Sequence, residues 1–168
     1  TAAAFDSGNI VVNSFSKYFS MTGWRLGWLV LPDDLLKPVE RLAQNLFISP
    51  PTLSQWAALA AFDCRDELER NVRRYRANRD LLLGELPAAG FAELSHAEGA
   101  FYVWAEIARL ANDSEALCAA LLAETGVAIT PGIDFDPERG HRWVRFSFAG
   151  ATADMAEAAR RLKAWRKR

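Results

Sequence analysis

The chain has 168 residues, of which 51% are hydrophobic and 24% charged, a balance that suits a folded globular protein and excludes a disordered or collagen-like one. Twenty basic and twenty-one acidic residues leave a formal charge of −1, so no global charge excess argues for nucleic acid or an anionic membrane as a partner. The longest apolar run, Trp24 to Leu31, is far shorter than the ~18 residues a membrane span needs and contains Arg25. No basic start followed by an apolar stretch opens the chain, so a cytoplasmic location is expected. Cys64 and Cys118 are too few for a disulfide framework or a four-ligand zinc site. They read as structural thiols in helix-like segments of a protein kept reduced. His96 and His141 lack metal-ligand spacing, so no metal site is expected.

In chain order, Asn9 to Phe15 reads as a buried strand centred on Ile10, Val11 and Val12. Ser16 to Gly23 is a polar loop ending in glycine. Trp24 to Leu31 alternates, with Leu26, Trp28 and Val30 on one face, and predicts a second strand. A helix follows from Pro32-Asp33, with Leu35, Val39, Leu42, Ala43 and Leu46 at helical spacing and Pro38 expected near a first turn. Ser49-Pro50-Pro51 breaks the pattern, which resumes from Thr52 to Phe62. A longer helix is predicted from about Asp66 to Leu86, stopped by Pro87 and Gly90.

Phe91 to Leu94 and Ala100 to Glu106 read as strands. Asp113 or Ser114 caps a helix running to Thr125, with Gly126 as its stop. Val127 to Thr130 and Arg142 to Phe148 are further strands, and Thr152 caps a last helix to about Trp165. The terminal Arg166-Lys167-Arg168 suits the negative end of that helix. The fold class expected is therefore α/β at the start and α+β at the end. The expected division is 1–50, then connecting helices over 51–86, then a small domain over 87–168.

Two constellations carry chemistry. Lys17 follows the first strand, where a loop side chain can face a cleft, and a partly desolvated lysine becomes a usable amine nucleophile. Arg25 lies eight positions on, and its planar fork suits a phosphate. Ser14 and Ser16 add hydroxyls, and Gly23 and Gly27 permit close backbone approach. Amine, guanidinium and hydroxyls together describe a site for a phosphorylated aldehyde. The second constellation is Arg145 within Arg145-Phe146-Ser147-Phe148-Ala149-Gly150. An arginine in an apolar strand needs an anion, either a substrate carboxylate or, more commonly, an internal Asp or Glu. The arginines from Arg70 to Arg79 around Tyr75 read as a solvated helix face rather than a nucleic-acid surface.

Asn13-Ser14-Phe15-Ser16-Lys17 followed by Met21-Thr22-Gly23-Trp24-Arg25-Leu26-Gly27 resembles the cofactor-lysine region of the class I and II pyridoxal-phosphate aminotransferases of fold type I. Ala128-Ile129-Thr130-Pro131-Gly132-Ile133-Asp134-Phe135, then Arg145 to Gly150, resembles the same family's C-terminal signature, and Gly99-Ala100-Phe101-Tyr102 fits a small-domain segment. The resemblance implies that Lys17 holds pyridoxal 5′-phosphate as an internal aldimine and moves the substrate proton. It implies that Ser14, Ser16 and Arg25 hold the cofactor phosphate and that Arg145 clamps the substrate α-carboxylate. An amino group would pass from an amino acid to a 2-oxo acid, in a homodimer with active sites at its interface.

The sequence also departs from that family. The aspartate that pairs with the pyridine nitrogen, and its neighbouring tyrosine, belong well upstream of the lysine, and Asp6 is the sole acidic residue before Lys17. The resemblance therefore implies a C-terminal portion: the end of the large-domain sheet, connecting helices and the small α+β domain, inactive alone. Its first strand would lack a parallel neighbour, and such an edge invites pairing with another chain. Self-association or a poorly ordered start is the expected consequence. A carbon–sulfur lyase on the same scaffold and an aminotransferase-like sensor domain of a transcription regulator are the rival readings.

Overall fold

The structure is a computed structural model and describes residues 1–166. It divides into two compact units, Thr1–Arg70 and Asn71–Arg168. The boundary falls within one helix.

The first unit opens with a short 3-10 turn, Ala2–Ala4. Strand β1, Val11–Ser14, pairs antiparallel with β2, Gly27–Val30, so that Val11 faces Val30 and Ser14 faces Gly27. Gly27 is required at this pairing, because a Cβ there would lie 2.5 Å from the Asn13 carbonyl oxygen. Both strands are shorter than the sequence predicts. Helix α1 spans Asp33–Leu46, with Asp33 and Asp34 suiting its positive end. Pro38 lies inside α1 rather than in its first turn, as the sequence suggested, because the helix already begins at Asp33. The ring removes one backbone donor there.

Helix α2, Thr52–Ala61, buries Ser54, Ala58 and Ala61, which recur on one helical face. With Phe15 and Met21, the two alanines form a small core. Ring centroids of Phe19, Trp28 and Phe62 lie 4.8, 4.9 and 5.6 Å from that of Phe15. The expected burial of the first strand is not realised: Ile10 and Val12 are exposed. A strand with one partner and an uncovered face cannot hide residues on both sides. Cys64 sits in the link between α2 and α3, outside the helix predicted for it.

Helix α3, Arg65–Glu85, begins in the first unit and continues into the second. The second unit is built on a three-stranded antiparallel sheet in the order β3-β5-β4, comprising Tyr102–Glu106, Trp143–Ser147 and Thr130–Pro131. Alternation sorts the two longer strands, β3 and β5, cleanly. Val103, Ala105, Val144 and Phe146 are buried on one face, and Tyr102, Trp104 and Arg145 belong to the other. Helices α4, Ser114–Thr125, and α5, Thr152–Arg166, supply Leu117, Leu121, Ala159 and Leu162 to the interior. Leu86, Phe91 and Ile107 complete a core that is fully closed to solvent.

Local chemistry explains the boundaries. Asp113 is the cap of α4, accepting from the Glu115 and Ala116 amides at 2.8 and 3.1 Å. Ser114 is the first helical residue, and α4 stops at Gly126. Thr152 is likewise already inside α5, where the Ala151 carbonyl accepts from the Met155 amide. The strand predicted over Phe91 to Leu94 reduces to a single bridge, Leu94 opposite Ala105. The strand predicted over Val127 to Thr130 reduces to Thr130–Pro131, where the proline cannot donate to a ladder and confines β4 to an edge. Asn78, wholly buried on α3, donates from Nδ2 to the Phe148 and Gly150 carbonyls, both at 3.0 Å. Lys163 pairs with Glu85, tying α5 to α3. Lys167 and Arg168, expected to complement the end of α5, lie outside the described residues.

Candidate functional site

The loop between β1 and β2 holds Ser16, Lys17 and Arg25, with Ser14 at the end of β1. Its shape is set by hydrogen bonds at every bend. The Ser14 hydroxyl accepts from the Ser16 amide at 3.1 Å. The Ser20 amide donates to the Lys17 carbonyl at 3.0 Å, and the Met21 amide to the Phe15 carbonyl at 3.2 Å. Thr22 Oγ1 donates to the Ser16 carbonyl at 2.8 Å, which ties the two limbs together. The Phe15 amide donates to the Leu26 carbonyl at 3.0 Å and closes the base of the loop. Ser14, Lys17 and Arg25 are exposed and Ser16 is half-buried, so the polar groups face solvent while Phe15 and Met21 anchor the loop from below.

Arg25 does not sit inside a strand, as the alternation suggested. It follows the 3-10 turn Thr22–Trp24 in the left-handed region, at φ 52° and ψ 49°. Its Nη1 donates to the Thr22 carbonyl at 2.9 Å, and it pairs with no acidic side chain among the described residues. A guanidinium held by its own loop and unneutralised by an acid suits a phosphate. Beside Lys17, the Tyr18 hydroxyl donates to Glu69 Oε1 at 2.7 Å. That bond, to a carboxylate, raises the Tyr18 pKa above its ordinary value.

Arg145 belongs to the second unit, in the middle of β5 opposite Trp104. Its guanidinium carbon lies 4.1 Å from the Tyr102 ring centroid and 4.2 Å from that of Phe135. Phe135 in turn meets Trp104 edge-on at 5.3 Å. Aromatic faces thus hold the cation in place. Its Nε is buried and makes no hydrogen bond. The internal acid that the sequence offered as the ordinary partner is absent among the described residues. Glu106 on the same sheet is bound instead by Arg142, at 2.6 Å. Phe135 is delivered by the turn at Gly132, where a Cβ would lie 2.5 Å from the carbonyl oxygens of Gly140 and Trp143.

Burial, with a smaller push from Asp134, raises the Cys118 thiol to about 11, so it is protonated and unreactive at neutral pH. Among the described residues no group of three or more His, Cys, Asp or Glu is placed to hold a metal ion. No helix among them is long and apolar enough to cross a membrane. Sequence reasoning missed Thr22 and Ser54 as parts of the loop's scaffold. Thr22 stood within a recognised motif, whereas Ser54 carried no signal, because its bond to the Trp24 carbonyl spans thirty positions.

The amine and the guanidinium thus share one strand–loop–strand, and the second arginine lies on a separate sheet. The class I and II aminotransferase family matches residues 3–162, and the chain belongs to it. Members of that family are generally dependent on pyridoxal phosphate. The valine–pyruvate aminotransferase of Mycobacterium tuberculosis is 51% identical over 158 residues, covering 93% of this chain and 41% of that protein. The (5-formylfuran-3-yl)methyl phosphate transaminase of Methanocaldococcus jannaschii is 37% identical over 168 residues, covering 97% of this chain and 44% of that protein. A crystal structure of an aminotransferase from Mycobacterium tuberculosis aligns with a TM-score of 0.96 at 49% identity, over 98% of this chain and 43% of that one. The chain therefore spans about two fifths of the length of the curated relatives it matches. The mixed α/β architecture is that of a portion of the aminotransferase fold.

Proposed function

We propose that the protein to which this chain belongs transfers an amino group from an amino acid to a 2-oxo acid, with pyridoxal 5′-phosphate held at Lys17. The observation that carries this reading is the β1–β2 loop, which presents the Lys17 amine, the Arg25 guanidinium without an acidic partner among the described residues, and the Ser14 and Ser16 hydroxyls. Arg25, Ser14 and Ser16 would bind the phosphate. Lys17 Nζ would bind the cofactor's aldehyde carbon and, once displaced by the substrate amine, take and return a proton at the substrate Cα. When bound, the pyridoxal ring supplies the electron sink for charge developing at that carbon.

Arg145 would orient the substrate by its α-carboxylate. The buried Nε without a partner, and the lack of an acid paired with this arginine among the described residues, support that role. The Tyr102 and Phe135 rings bracket the guanidinium, so apolar side chains suit its surroundings. With the 51% identical relative named for valine and pyruvate, we take that pair as the first donor and acceptor to assay. A homodimeric, cytoplasmic enzyme is part of the same proposal.

The test is cofactor trapping. The purified protein is incubated with pyridoxal 5′-phosphate and reduced with borohydride, and the modified lysine is mapped by mass spectrometry beside Lys17→Ala. Saturable labelling at Lys17, lost in the variant, is expected. Slow labelling spread over Lys17, Lys37, Lys163 and Lys167 would overturn the reading. Products separate transfer from elimination: an aminated acceptor is expected, and free ammonia would favour a lyase.

A further inference from the structure

Ser54 is one of the few buried polar residues of the chain, 6% exposed, and the only one of those in the first unit among the described residues. It is the third residue of α2, where a serine could satisfy the helix's own free amides. It does not. The first turn of α2 has no side-chain cap, and Ser54 Oγ donates across to the Trp24 carbonyl at 2.8 Å.

The place of that carbonyl gives the bond its consequence. The Trp24 carbonyl and the Arg25 amide form one peptide plane, and rotation of that plane sets the φ of Arg25. Arg25 is a non-glycine residue at φ 52°, a conformation that persists only where its surroundings enforce it. Ser54 clamps the plane before Arg25, and the Phe15 amide holds the Leu26 carbonyl, in the second peptide after it. The Trp24 amide is also engaged, donating to Met21. Without the hydroxyl, the Trp24–Arg25 peptide can rotate to relieve the left-handed conformation, which re-aims the guanidinium.

We propose that Ser54 is a positioning residue, which sets the affinity of the Arg25 site for a phosphate group by holding the Trp24–Arg25 peptide. This rests on the reading of Arg25 as a phosphate ligand given above. Ser54 itself touches no cofactor; it acts through the backbone of another residue.

The experiment compares binding of pyridoxal 5′-phosphate and of phosphate-free pyridoxal to the whole protein, followed by absorbance. Ser54→Ala removes one oxygen from a helix and is expected to fold, as checked by its thermal melt. Losing one such bond should weaken pyridoxal 5′-phosphate about three- to tenfold and leave pyridoxal within about twofold. In an Arg25→Ala background the same substitution should have no further effect. Ser54→Thr, which keeps the donor, should retain the phosphate preference. Equal weakening of both compounds, persistence of the effect without Arg25, or a Ser54→Thr protein as weak as Ser54→Ala would each overturn the proposal and assign Ser54 to packing alone. An unchanged Ser54→Ala protein overturns it while leaving the cofactor reading standing. A wild-type protein that shows no preference for the phosphorylated compound overturns both.

Discussion

The two units of this chain use a similar apolar composition to opposite effect. In the second, a β-sheet face and helices α3, α4 and α5 enclose Leu86, Phe91, Ile107, Leu121 and Leu162 almost completely. In the first, the buried cluster is Phe15, Met21, Ala58 and Ala61, with Leu68 buried apart from it, while Val12, Leu46, Ile48, Leu53, Trp56 and Leu59 are all exposed. The loop bearing Lys17 and Arg25 belongs to the sparsely packed unit. The contrast teaches that hydrogen bonds carry much of that loop's shape, with Phe15 and Met21 as its small buried anchor. Its shape rests on Ser14, Thr22, Ser54 and backbone bonds, each of which water can compete for.

The largest effect that tests the contrast is a matched pair of truncations. Phe91→Ala should cost about 4 kcal/mol in urea denaturation, because a ring is lost from a closed core. Phe62→Ala, at a ring 57% exposed, should cost less than about 1.5 kcal/mol. Similar costs at the two positions would break the comparison. Next, Gly27→Ala forces a Cβ against the Asn13 carbonyl and should cost about 1–3 kcal/mol. Hydrogen exchange should localise the damage: β1 amides lose protection and β5 amides keep theirs.

Association state gives a third test. The exposed apolar residues of the first unit predict that the 168-residue chain sediments above monomer mass at micromolar concentration. A single monomeric boundary would count against that. The smallest effect is electrostatic and confined to the second unit. Hydrogen bonds from Arg160 and Arg161 hold the Glu157 carboxyl at about 2, below its ordinary 4.5. A carboxyl whose pKa is lower when folded stabilises the fold above its unfolded pKa, and that contribution fades as pH falls from about 4.5 to about 2. Wild type should therefore melt slightly above Glu157→Gln at pH 7, with the two melts converging near pH 2. A gap that persists in acid would place the effect in packing.

Much of the second unit could be read directly from the sequence. Alternation over Tyr102 to Glu106 and Trp143 to Ser147, the Asp113 cap and the Gly126 stop are local signals, and each unit of pattern meets its own partner nearby. The first unit is less legible. The apolar run Ile10 to Val12 announces a buried strand, yet burial is a property of what covers a residue, and only β2 lies beside β1 among the described residues. The alternation of its neighbours suggests a strand at Arg25. The left-handed turn that carries it depends on bonds from Phe15 and Ser54, the latter far away in sequence.

What the residues determined unaided is the set of chemical groups and their order: an amine at Lys17, a guanidinium eight positions on, and a second arginine within an apolar strand. Side-chain chemistry and short-range periodicity suffice for that, because both are written into consecutive residues. Tertiary structure alone decided which cations remain without an acid. Arg142, in the turn just before β5, pairs with Glu106, whereas Arg145, within β5, is stacked on Tyr102 and Phe135 with its Nε unpaired. An ion pair is formed by whichever acid folding brings within reach, and that distance is fixed by strand register and packing, not by sequence separation.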